Sequence, residues 1–134
     1  MRAAEYRRRG PAADVLEIID LPLPHPGPGE VRVRVMVSAV NPSDTKSRSI
    51  RPNDTTMAFE AVTPHQDGSG VIDAIGEGID PARIGERVWL YMAQRGRPRG
   101  TAAEYTVVPA ERAVRLPDNA SFAEGACLGI PAMT

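Results

Sequence analysis

Four groups of residues in this sequence have side chains able to do chemistry. The first is Asn41-Pro42-Ser43-Asp44, an amide and a carboxylate three residues apart at the end of an apolar stretch. An amide there can donate a hydrogen bond to a substrate or cofactor carbonyl. It can equally hold the following turn by an Asx-type bond. The second is His65-Gln66-Asp67. His65 and Asp67 could contact a cation, but the chain has only two histidines and one cysteine, and no two of them lie at ligand spacing. A structural zinc site takes four ligands and a catalytic one usually three, so the metal reading lacks its remaining donors. His65 is expected instead to shape or line a pocket. Ser43, Asp44 and His65 together contain the ingredients of a hydrolase, yet no Gly-x-Ser-x-Gly elbow is present. The third group is Gly68-Ser69-Gly70 with Gly76 and Gly78. Its spacing matches neither a dinucleotide-binding turn nor a Walker loop, so turns and close backbone packing are expected. The fourth is Cys127, alone in the apolar run Ala126–Ile130 and expected to be a small buried hydrophobe.

Something must hold these groups in place. The 134 residues suffice for one domain with a real core. Only 4% are aromatic, so that core must be aliphatic. Thirteen prolines and 12 glycines imply many turns and short elements. With 16 basic and 17 acidic residues, the chain lacks the positive field that nucleic acid binding requires. Arg7-Arg8-Arg9 is a small basic run, expected at a solvated strand end. No apolar run is long enough to cross a bilayer, and the N-terminus reads directly into a strand pattern without a signal-peptide segment. A reducing, cytoplasmic location is the resulting expectation.

The clearest element starts at Glu30. Val31, Val33, Val35 and Val37 alternate with Arg32, Arg34, Met36 and Ser38. A period of two in β-branched residues predicts a half-buried strand with one core face and one wet face. Further strands are expected over residues 1–9, 15–21, 71–75, 88–91, 102–108 and 113–117. Prolines 22, 24, 26 and 28 make 22–29 an ordered surface connection. Ser43 or Asp44 could cap a short helix through Lys46 to Ile50, and residues 52–56 read as a polar loop. Ser121 with Glu124 has the capping-box spacing, followed by a helix that Gly129 and Pro131 keep brief. Seven or eight short strands and two short helices predict a mostly β barrel or sandwich, whose closure would hide its edges.

The order of several short stretches resembles a known family. They are Pro-Gly-Pro-Gly-Glu-Val-Arg-Val-Arg-Val at 26–35, Val-Asn-Pro-Ser-Asp at 40–44, Asp-Gly-Ser-Gly-Val-Ile at 67–72, Gly-Glu-Arg-Val at 85–88, Ala-Ala-Glu-Tyr at 102–105 and Leu-Gly-Ile-Pro-Ala-Met-Thr at 128–134. Together they resemble the medium-chain dehydrogenase/reductase superfamily, most closely its quinone oxidoreductase or zeta-crystallin-like branch. The resemblance implies a mostly β, GroES-like (chaperonin-10-like) partly open β-barrel with short helices over residues 1–125. Residues 126–134 would begin a linker into a Rossmann NADPH-binding domain that is absent from the chain.

The same resemblance implies site residues and chemistry. Asn41 and Pro42 would lie beside the nicotinamide, with Asn41 as the catalytic donor and Asp44 supporting the turn. Thr134 would approach the same ring, and Ile130 and Pro131 would shape the cleft wall. Zinc-dependent relatives have a cysteine where this chain has Asn41 and a histidine where it has Gln66. His65 stands one position early, and Asp67 holds an acidic position behind the site. The four-cysteine lobe is missing between Trp89 and Thr101, so a zinc-independent enzyme is expected. A tyrosine often placed after the Asn-Pro-x-Asp turn is replaced here by Lys46, Ser47 and Arg48, leaving Ser47 or Arg48 as pocket candidates. The implied activity is NADPH-dependent hydride transfer to a quinone or enone. An enoyl-thioester or polyketide enoyl reductase of the same fold and a non-catalytic binding module are the alternatives. The implied partners are the small-molecule acceptor, the missing nucleotide-binding domain and a second copy in a homodimeric parent. Neither nucleic acid nor a membrane is expected.

Overall fold

The computed structural model describes residues 1–50, 52–54 and 56–134. Seven strands are formed among them: β1 (Arg2–Glu5), β2 (Glu17–Asp20), β3 (Glu30–Ala39), β4 (Asp67–Ile75), β5 (Arg87–Leu90), β6 (Tyr105–Pro109) and β7 (Ala113–Arg115). Short helices punctuate them: α1 (Ala12–Val15), α2 (Pro42–Arg48), α3 (Phe122–Ala126) and α4 (Ile130–Met133). The expected predominance of β-structure holds. The main sheet runs β6-β3-β4-β5-β7, antiparallel throughout, and it stays open rather than closing on itself. β1 and β2 form a separate ribbon. Its backbone ties to residues 102–104, where Ala4 N–H donates to Ala102 and Glu104 N–H donates to Arg2.

The alternation in β3 buries Val31 and Val33 completely against Ile72, Val88, Leu90 and Val108. The core is aliphatic, as the scarcity of aromatic residues requires. A smaller cluster of Tyr6, Val15 and Val62 lies under the N-terminal segment. Strict alternation would put Ser38 on the wet face. The β3–β4 register instead shifts between Val35 and Val37, and Ser38 is half-buried beyond that irregularity. Bulges of this kind re-aim side chains at the ends of strands.

Four local expectations change. Strand β4 begins at Asp67, so Gly68 and Gly70 are strand residues pairing with Leu90 and Val88, and only Gly76 onward forms the turn. Helix α2 starts at Pro42 with Asn41 as its N-cap, and ends at Arg48. Proline suits the first helical turn because its missing N–H would have had no partner there. Cys127 is exposed, not buried, because α3 ends at Ala126 and the chain turns outward. Arg9 is more than a solvated charge: its guanidinium donates to the carbonyls of Ser47 (2.5 Å) and Thr56 (2.9 Å), beside the C-terminal end of α2. The helix at Ser121 forms with its capping box, as its spacing predicts. The polar stretch 52–56 includes Thr55, which lies outside the described residues.

Candidate functional site

Strand register builds the site. Ala39 pairs with Asp67, so the chain leaving β3 carries Asn41 next to the first residue of β4. The Asn41 amide donates to Asp67 Oδ2 at 2.8 Å. The same oxygen accepts the backbone N–H of Ile130 at 2.8 Å. One fully buried carboxylate thus pins two turns together, the one opening α2 and the one opening α4. Gly129 permits this approach: a Cβ there would lie 2.1 Å from Asp67 Oδ1. Asp67 Oδ1 is buried without a partner, and no cation among the described residues is within ion-pair distance of the carboxylate. Burial pushes the Asp67 pKa above the ordinary carboxylate value, against the two donors that favour its charge. Asp44, also buried, accepts the Asn41 backbone N–H at 2.7 Å, and its pKa is raised for the same reason.

His65 lies at φ +79°, a left-handed conformation that costs a non-glycine residue roughly 1–3 kcal/mol. The neighbouring backbone imposes it. The carbonyls of Thr63, Pro64 and His65 accept N–H groups from Gly100 (2.8 Å), Ala102 (3.1 Å) and Thr101 (3.1 Å). Glycine at 100 allows the contact, since a Cβ there would stand 2.2 Å from the His65 carbonyl oxygen. The His65 ring meets Ser38 Oγ through Nδ1 at 2.8 Å, and Ser38 meets Thr101 Oγ1 at 2.9 Å. Thr101 in turn donates to the Asp67 carbonyl at 2.5 Å. Burial lowers the His65 pKa, opposed by the nearby Asp44 charge and reinforced by Arg48.

The other expected site residues divide. Gln66 turns to Gln94, donating from Nε2 at 3.1 Å and accepting the Gln94 N–H at 3.2 Å, and so braces the loop after β5. Ile130 is half-buried, while Pro42 and Pro131 are exposed beside the two pinned turns. Thr134 is exposed and donates to the Ile130 carbonyl at 3.0 Å. Ser47 is exposed on α2 and lines a recess with Tyr6 and Phe59, whose lining does not include Asn41. Arg48 is half-buried, with a buried Nε lacking a partner. Ser38 and Thr101 were not foreseen. Their hydroxyls carry no spacing signal, because strand register and a long loop bring them together. Among the described residues no group of three or more His, Cys, Asp or Glu is arranged to hold a metal ion. No helix among them is long and apolar enough to cross a membrane.

An open antiparallel sheet of short strands, with capped helical turns gathered at one end of β3 and β4, defines a GroES-like domain. The chain belongs to the alcohol dehydrogenase GroES-like domain family, which matches residues 27–118, and to the quinone oxidoreductase branch of the medium-chain dehydrogenase/reductase superfamily. It is 36% identical over 126 residues to a trans-enoyl reductase of Gibberella fujikuroi, covering 94% of this chain and 35% of that protein. It is 33% identical over 95 residues to the quinone oxidoreductase of Sus scrofa, covering 71% and 27% respectively. Among solved structures, a quinone oxidoreductase of Pseudomonas syringae pv. Tomato DC3000 superimposes with a TM-score of 0.82 at 29% identity, covering 96% of this chain and 37% of that one. The chain therefore spans roughly a third of the length of these relatives.

Proposed function

We propose that the chain is the substrate-side domain of a zinc-independent, NADPH-dependent oxidoreductase. Its acceptor is a carbon–carbon double bond conjugated to a carbonyl, as in a quinone or an enone. Residues 1–125 form this domain, and 126–134 open the linker to a Rossmann NADPH-binding domain. The carrying observation is Asn41. Its amide has two hydrogens; Asp67 accepts one, and the other has no partner among the described residues. That second hydrogen is the donor offered to a carbonyl oxygen as negative charge develops on it. A donor held by a buried carboxylate is preorganised, so little reorientation is needed during reaction.

Pro42 and Pro131 are exposed and each adjoins one of the two turns that Asp67 joins, and a nicotinamide, a flat ring with a polar edge, would suit that junction. Asn41, Pro42 and Thr134 would hold that end of the dinucleotide. When bound, NADPH supplies the hydride. Asp44 keeps the Asn41 backbone in register, Asp67 aims the Asn41 side chain, and Ile130 and Pro131 wall the cleft and exclude water.

The match to a trans-enoyl reductase over most of the chain favours a second acceptor class, an enoyl thioester. It shares the conjugated carbonyl and needs the same donor. The test is the protein at the full length its gene encodes, assayed for NADPH and NADH oxidation against quinones, enones and enoyl thioesters. Turnover with at least one class is expected. Replacing Asn41 with Ala is expected to lower kcat about 10²–10³-fold, the range for losing one oxyanion donor. Oxidation of neither cofactor with any acceptor, or unchanged kinetics in the variant, would overturn the reading.

A further inference from the structure

Counting protons along the chain of hydroxyls from Asp67 to His65 fixes the state of the histidine ring. Thr101 has one hydroxyl proton, and its contact with the Asp67 carbonyl spends it, because a carbonyl can only accept. At the next contact Thr101 Oγ1 must accept, so Ser38 is the donor there. The Ser38 proton is then spent too. At the last contact Ser38 can only accept, so His65 Nδ1 must carry a hydrogen. The fixed end of the chain is a backbone carbonyl, which cannot reverse its polarity. The arrangement therefore orients the ring and does not conduct protons.

Nε2 is left over. Among the described residues it has no hydrogen-bond partner, and it is not among the buried unpartnered atoms, so it opens toward solvent, and the ring lies close enough to α2 for the charges of Asp44 and Arg48 to act on it. The backbone clamp from Gly100 to Ala102 holds the ring there against an unfavourable φ. The geometry points to His65 as the proton donor of the site, locked with hydrogen on Nδ1 so that Nε2 alone exchanges a proton with the reduced acceptor. This rests on the hydride-transfer reading above. Hydride from the dinucleotide forms a C–H bond and leaves the electron pair of the conjugated system on the acceptor oxygen. The imidazolium N–H at Nε2 breaks, an O–H bond forms, and the ring returns to its neutral Nδ1–H form, to be recharged by water. Asp44 and Arg48 of α2 are the charged groups facing the ring, and Ser38 of β3 and the loop Thr101 are its uncharged neighbours. Burial and Arg48 oppose the charged form while Asp44 favours it, with burial the largest influence. The donor form is therefore a minority at neutral pH and grows as pH falls.

Two measurements test this. Nitrogen-15 spectra of the ring in the wild-type protein are expected to show a protonated Nδ1 and an unprotonated Nε2 at neutral pH, and Ser38→Ala is expected to release the lock and admit the Nε2–H tautomer. An Nε2–H ring in the wild type would overturn the lock. In the full-length enzyme, kcat is expected to rise as pH falls and to level off below the His65 pKa read from the same spectra. His65→Asn tolerates the left-handed backbone. It is expected to lose that limb and about 10²–10⁴-fold in kcat, the usual range for a general acid, with KM for NADPH unchanged. A flat wild-type profile, or a limb that survives in His65→Asn, overturns the donor role. A protein that oxidises neither cofactor overturns the hydride-transfer reading and the donor role with it, whereas the tautomer lock is decided by the spectra alone.

Discussion

At the scale of single residues, the unusual feature is a carboxylate with two donors on one oxygen and, among the described residues, neither a donor on the other nor a cation in reach. Asp67 is fully buried, which would be costly for a charged group without compensation. Its raised pKa means the folded chain binds a proton there more tightly than the unfolded chain does. By linkage its contribution to stability is intact below the unfolded value near 3.9, and is lost as pH rises through the folded pKa. Asp67→Asn removes the charge and keeps an acceptor for Asn41 and Ile130. The variant's melting temperature, relative to wild type, is expected to increase as pH is raised from 4 to 8 in thermal denaturation. His65 contributes with the opposite sign. Its lowered pKa favours the neutral form, so stability is full above about pH 6.5 and declines as pH falls through the folded value. A difference between Asp67→Asn and wild type that shrinks with rising pH would show that Asp67 does not titrate as its surroundings dictate.

At the scale of elements, the site depends on how the segment 98–102 lies along 63–65. Gly100 is the position where that contact can be broken by one methyl group, because both the Pro64 and His65 carbonyl oxygens lie within 2.4 Å of where a Cβ would stand. Gly100→Ala is expected to destabilise the fold by about 1–3 kcal/mol in urea denaturation, the usual penalty for overpacking. It should also disturb the His65 ring, read from its nitrogen-15 shifts, because the Thr101 hydroxyl moves with the backbone. The same elements show what the sequence made legible. Valine alternation in β3 and the Ser121–Glu124 box are local patterns, and both form as their residues dictate. The pairing of Asn41 with Asp67 was half visible, since both residues stand out but only strand register joins them. Ser38 was hidden, because one irregularity near Met36 undoes the parity on which strand reading relies. The start of β4 was hidden as well, because Gly68 and Gly70 signal a turn locally while cross-strand pairing makes them strand. Cys127 departs from its expected burial because an apolar neighbourhood in sequence is no guarantee of one in space.

At the scale of the whole molecule, several of the exposed large apolar residues belong to the segments that carry the two pinned turns. Val40 and Ile50 flank α2 with 64% and 62% of their surface exposed, and Met133 in α4 is 56% exposed. Leu128 lies just before Gly129 and is also exposed. Because Asp67 holds Asn41 and Ile130 together, Val40, Leu128 and Met133, which are close in sequence to one or the other, border one junction, while Ile50 lies past the far end of α2. A cluster of this kind is a liability in water unless something covers it. Under the proposed function, the nucleotide-binding domain is that cover. A formal net charge of -1 supplies little repulsion to keep bare copies apart. The 134-residue chain expressed by itself is therefore expected to associate with rising concentration in sedimentation velocity and to oxidise no NADPH. The double variant Val40→Glu, Met133→Glu should return it toward monomer, since it places charge in the middle of the apolar rim. In the full-length protein the same pair of substitutions should act oppositely, lowering the melting temperature by burying charge against the second domain. Equal tolerance of the two glutamates in both contexts would mean that the junction faces solvent in the intact protein, and that the proposed cleft is built elsewhere.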